Sequence, residues 1–143
     1  MLIRSLLMGN RPLPTDLEIL NRIYDRYYDA FADWDVDPSI RKNKNFIPID
    51  IPLIAQQLGV NADVVFGRLY YSLQKRHGFR NEDKTLVPFF TRELEEGKNH
   101  INFPLLSAVL AELRDQHVTQ TANRTLSIFS LSISVIALIK SFW

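Results

Sequence analysis

The chain has 143 residues, 46% of them hydrophobic and 23% charged, which is the composition of one folded domain with an extension and excludes a disordered chain. Its formal charge of +1 supplies no global field to draw it onto nucleic acid or anionic lipid. It has no cysteine, which removes disulfides, thiolate metal sites and cysteine nucleophiles together.

The opening stretch 1–14, MLIRSLLMGNRPLP, is apolar too briefly for a secretory signal and lacks a small-residue cleavage site, so a loosely packed arm is expected there. Thr15 followed by Glu18 forms a capping box for a helix starting at Asp16. Leu17, Leu20, Tyr24, Tyr27, Phe31 and Trp34 recur at steps of three and four, giving that helix an apolar face. Asp25, Asp29 and Asp33 mark a solvated face, and Asp37-Pro38 ends the element. Arg41–Asn45 is a basic loop containing Arg41, Lys42 and Lys44.

Phe46–Ile51, with prolines at 48 and 52, suits only a short edge strand. Pro52 opens a helix that stops at Gly59, and Asn61 caps the next, which runs to about His77 with Gly78 as its stop. Thr85–Thr91 reads as a strand despite Pro88, the polar run Arg92–Asn99 as a hairpin tip, and His100–Phe103 as the returning strand. Pro104 begins a helix carrying Leu105, Leu106, Val109, Leu110 and Leu113.

The expected fold class is therefore α+β. The element order, with IPLIAQQLGVNADVVFGRLYYSL followed by TLVPFF…HINF, resembles the winged helix-turn-helix superfamily over roughly residues 16–113. It is similar in particular to uncharacterised bacterial winged-helix proteins with a C-terminal hydrophobic segment. The resemblance implies that Ala55 packs inside the first helix of the motif, that Gly59 makes the turn, that Val65 and Leu69 are buried, and that the hairpin takes the place of the wing.

Winged helices commonly read DNA with the second helix of the motif. Here that helix carries Asn61, Asp63, Val64, Phe66 and Arg68 in its first half and Lys75 and Arg76 near its end. Asp63 repels phosphate, and Val64 and Phe66 offer apolar surface. The wing sets Arg92 and Lys98 against Glu93, Glu95 and Glu96, a poor balance for phosphate tracking. These residues form a candidate surface for a protein partner, with DNA as the alternative.

The run TLSIFSLSISVIALIKSFW carries no charge from Thr125 to Ile139. It is a candidate membrane anchor, with Lys140 able to snorkel and Trp143 suited to an interface. Positive-inside bias would keep the preceding domain cytoplasmic. Ser127, Ser130, Ser134, Ala137 and Ser141 place small residues on one helix face, a candidate stripe for self-association or helix packing. The same stripe would follow if each serine simply bonded within its own helix. Burial of the tail in an assembly is a second option, and the alternation from Leu131 to Val135 leaves a strand as a third.

Catalytic motifs are missing. Asp33-Trp-Asp35-Val-Asp37 hints at a calcium loop, but Pro38 stands where glycine is needed and Lys44 where a bidentate Glu is needed. His77, His100 and His117 lie apart, at no metal-ligand spacing, and nothing singles out a partner such as Asp50. No phosphate-binding glycine loop or nucleophile elbow occurs. The sequence thus predicts an arm (1–14), a winged-helix-like domain (15–114), a polar spacer or helical stalk (115–124) and an apolar helix (125–143). The expected function is a membrane-tethered, non-enzymatic interaction module with no cofactor or metal. A DNA-binding regulator and a soluble structural subunit with a buried tail are the alternatives.

Overall fold

A computed structural model describes residues 12–141, with side chains at all of these except 137 and 139–141. Most of the expected arm, the Lys140 side chain and Trp143 lie outside the described residues. The chain divides after Val109 into two compact units.

In the first unit, α1 (Asp16–Ala32) starts at the predicted capping box: Thr15 Oγ1 accepts from Glu18 N–H at 3.2 Å while the Glu18 carboxylate accepts from Thr15 N–H at 2.7 Å. Its buried stripe centres on Ile19, Leu20 and Ile23; of these only Leu20 belongs to the series read from the sequence, and Ile19 and Ile23 each lie one position before a member of it. Two 3₁₀ turns follow, Asp33–Asp35 and Pro38–Ile40. Arg41 then donates to the carbonyls of Ala30, Phe31, Asn43 and Lys44, so the first residue of the basic loop fastens the end of α1.

Strand β1 (Phe46–Ile49) leads into α2 (Ile51–Leu58), capped by Asp50, whose side chain accepts from Leu53 N–H at 2.9 Å. Tyr27 Oη accepts from Asp50 N–H at 2.8 Å and ties α1 to this cap. Gly59 ends α2 at φ 68°, the left-handed region glycine enters without a Cβ penalty. A second run of helix comprises α3 (Ala62–Gly67), a π-helical stretch (Arg68–Leu73) and α4 (Gln74–His77). Val65 and Leu69 are fully buried, as expected.

The expected strand Thr85–Thr91 is broken in two. A small hairpin pairs β2 (Phe79–Arg80) with β3 (Leu86–Val87), and β4 is only Phe90–Thr91. Pro88 offers no N–H to a ladder. The next two N–H groups, of Phe89 and Phe90, donate instead to Gln74 Oε1 at 2.7 and 2.8 Å. Gly78 permits this, because a Cβ there would lie 2.6 Å from Gln74 Nε2. Gln74→Ala leaves both part-buried donors without this acceptor and is expected to cost about 1–3 kcal/mol, measured by urea denaturation; a change near zero would show that the bonds are replaceable.

Strand β5 (Asn99–Asn102) lies between β1 and β4, antiparallel to both, in the order β1-β5-β4. The fold class is α+β. Ile47, Phe90 and Ile101, in register across the three strands, bury with Ile54, Leu69, Leu73 and Phe89. Asn102 caps α5 (Phe103–Ser141) by accepting from Leu105 N–H at 3.3 Å.

Helix α5 runs without a break through the polar spacer and along the apolar run as far as Ser141, so these described residues form no strand. The membrane anchor expected from the sequence does not hold. No helix among the described residues is long and apolar enough to cross a membrane, which argues against the membrane localisation expected for the chain. The physical reason lies in the composition: the charge-free run Thr125–Ile139 is shorter than the ~20 apolar residues a span requires, and Thr125, Ser127, Ser130, Ser132 and Ser134 dilute it.

Candidate functional site

The surface expected to meet a partner is built on α3, the π-helical stretch and the hairpin tip. Asn61 is committed to the helix: its side chain accepts from Asp63 N–H at 2.8 Å as the N-cap of α3. Asp63 is exposed in the first turn and Val64 is half-buried. The two arginines are drawn to one carboxylate. Arg68 donates through Nε (3.0 Å) and Nη2 to Asp16 Oδ1, and Arg76 Nη2 donates to Asp16 Oδ2 at 2.5 Å.

Residues eight apart sit about 80° round from each other on a straight α-helix, and the wider i→i+5 turn between Arg68 and Arg76 reduces that offset. The Asp16 side chain is 13% exposed, against 42% and 48% for its arginines. Burial pushes its carboxyl pKa up, but the bonds and charges of Arg76 and Arg68 outweigh this and hold it below the ordinary value. Both arginines therefore clamp α1 to the helical run 62–77, and Lys75 stands exposed.

On another side of the same helix an aromatic cluster reaches solvent. Phe66 stacks on Tyr70 with ring centroids 5.3 Å apart and meets Phe90 edge-on at 5.9 Å. Tyr71 stands perpendicular to Tyr70 at 5.0 Å and is 72% exposed. Arg92, from the hairpin, lies over the Phe66 ring with its guanidinium carbon 5.5 Å from the centroid. The structure thus brings Phe66 and Arg92 together. Glu93 is exposed, and Lys98 pairs with Glu95 at 2.6 Å across the tip. Asp16, Tyr70 and Tyr71 were not singled out from the sequence. The tyrosines carried a usable signal in their spacing of four and five from Phe66, whereas Asp16 looked like an ordinary first-turn acid.

No protein-family model matches the chain, and neither a curated protein nor a solved structure matches it.

The second unit has a different surface. Along α5, Leu126, Ile128, Phe129, Leu131, Ile133, Val135 and Ile136 are 50–69% exposed. At 100° per residue they cover an arc of about 220°. The remaining side carries the serine stripe, whose hydroxyls are already used: Ser127, Ser130 and Ser134 donate to the carbonyls four residues back at 2.9–3.0 Å, as does Ser132 from the far side. The described part of the stripe is therefore small and self-satisfied; the side chains of Ala137 and Ser141 lie outside the described residues. Among the described residues no cluster of His, Asp or Glu could hold a metal ion.

Proposed function

We propose that the protein is a non-enzymatic assembly subunit, a winged-helix module whose α5 packs against the same helix of a second copy. The observation that carries this is the set of seven large apolar side chains from Leu126 to Ile136, exposed over more than half the helix circumference. A helix apolar on most sides is normally buried, because each such side chain left in water forgoes about 1.5–3 kcal/mol of burial. With no charge between Thr125 and Ile139, the surface suits only an equally apolar one, and a second copy supplies it. Seven side chains exposed to this degree present on the order of 800 Å² per copy, about what one side of a stable interface buries.

The winged-helix part rests on topology. The sheet order β1-β5-β4, with α2 and α3 between the first and second strands, supports it. The exposed aromatic cluster of Phe66, Tyr70 and Tyr71 suits a protein surface better than a phosphate-tracking one. The DNA-binding alternative has weaker support, since Arg68 and Arg76 are held by Asp16.

Because the chain has no cysteine, single cysteines report cleanly on helix proximity. A cysteine scan from 126 to 135 in the full chain is expected to give disulfide-linked dimers on mild oxidation, with yields recurring every three to four residues. A scan that gives no more dimer than Ser39→Cys, in the 3₁₀ turn Pro38–Ile40, would contradict pairing through α5.

A further inference from the structure

The three-stranded sheet has a face that the core does not use. Because side chains alternate along a strand, the register that sends Ile47, Ile101 and Phe90 inward sends Pro48, His100 and Thr91 to the other side. Over that side, the loop from Pro38 to Asn43 and the hairpin tip border a cleft of about 600 Å³. This is within the usual range for small-molecule sites. Its apolar walls are Ile40, Phe46, Pro48 and Leu94; Ile40 and Leu94 are about half exposed, although both are large and apolar.

The polar groups in the cleft converge. Lys98 Nζ bonds Glu95 Oε1 at 2.6 Å, His100 Nε2 lies 3.9 Å from Glu95 Oε2, and Lys42 acts on the same carboxylate through its charge. Arg41 also borders the cleft, but its donors go to backbone carbonyls. His100 lines the cleft with only 7% of its side chain exposed, and its buried Nδ1 has no hydrogen-bond partner. Such an atom is costly, and among the described residues no other buried side-chain nitrogen or oxygen lacks a partner. Burial holds the His100 pKa below its ordinary value, against the opposing pull of Glu95.

We propose that this cleft binds a small organic carboxylate with an apolar body. Its carboxylate takes the place of Glu95 beside Lys98 and Lys42, and its body lies against Ile40, Phe46 and Leu94. Glu95 sits on an exposed hairpin tip with its side chain 53% exposed, so it can yield that place without disturbing the core. None of the residues lining the cleft belongs to α5.

The test is a titration of the full chain with hexanoate at constant ionic strength, followed by the imidazole resonances of His100, with chloride and phosphate as control anions. Hexanoate is expected to give a saturable shift that neither control reproduces. Glu95→Gln removes the competing carboxylate and should tighten binding about two- to five-fold; Lys42→Ala should weaken it by a similar factor. Both positions are exposed, so the variants keep the parent fold. A drift that never saturates, an equal shift with chloride or phosphate, or a hexanoate affinity unchanged in both variants would overturn the proposal. So would hexanoate binding that leaves the His100 resonances in place.

Discussion

Phe103→Ala is expected to lower the stability of the domain by about 3–5 kcal/mol, the range for truncating a buried aromatic side chain. Phe103 is 1% exposed and its ring joins the start of α5 to α1. Its ring stacks on Phe31 at 4.7 Å and on Tyr24 at 5.4 Å, and it meets Tyr28 at 6.5 Å. Its backbone N–H donates to Asn45 O at 2.8 Å, which fixes the start of α5 beside the entry to β1. Alanine keeps that backbone bond, so the loss reports the ring: transfer free energy, the cavity left behind and the aromatic contacts. Urea denaturation measures it through a shift of the midpoint at unchanged slope. Tyr28→Ala, at a half-exposed position in the same cluster, should cost much less. Equal losses for the two would show that Phe103 is not the centre of this packing.

The second large effect belongs to Asp16. Asp16→Asn removes the negative charge that holds both Arg68 and Arg76 and is expected to cost about 1–2 kcal/mol at neutral pH. The figure is kept low because both arginines are nearly half exposed and water compensates part of the loss. The pH dependence has a definite sign. The Asp16 pKa is depressed in the folded protein, so its contribution is fully present above the unfolded value, near 3.9, and is lost as pH falls through the folded value. The stability gap between the parent and Asp16→Asn should therefore be constant from pH 5 to 7 and shrink below about pH 4. Other depressed carboxylates, such as Glu18 and Asp83, contribute to both proteins alike and cancel in the difference. A gap that stays constant down to pH 2.5 would show that the carboxylate is not what joins the two helices.

Features set by neighbouring residues were legible in the sequence. The Thr15–Glu18 capping box, the Asn61 cap and the Gly59 stop follow from cap chemistry, which acts within a few residues, while the burial of Val65 and Leu69 was expected from the resemblance alone. What was hidden depends on partners far along the chain. Arg68 looked able to read DNA, and Arg76 to touch phosphate or end in solvent, because Asp16 lies 52 and 60 positions away. The break in the strand at Pro88 needed Gln74, a side chain from another element, to receive the N–H groups of Phe89 and Phe90. The widened π turn left no periodic signature, and the covered His100 could not be told from an exposed hairpin residue. In the tail, the apolar residues were read correctly one by one. The hydroxyls between them and the length of the charge-free run were given too little weight, and a membrane span was expected where no helix among the described residues is long and apolar enough to make one.

The measurement that bears most directly on function is the molar mass of the full chain by sedimentation equilibrium, without detergent and over a wide concentration range. Assembly through α5 predicts a mass that is a multiple of 16.6 kDa and returns toward one copy in Leu131→Glu, whose charge would enter an apolar interface. A parent chain of 16.6 kDa at every concentration, or an oligomer indifferent to Leu131→Glu and to an equivalent charge at Phe129, would contradict it.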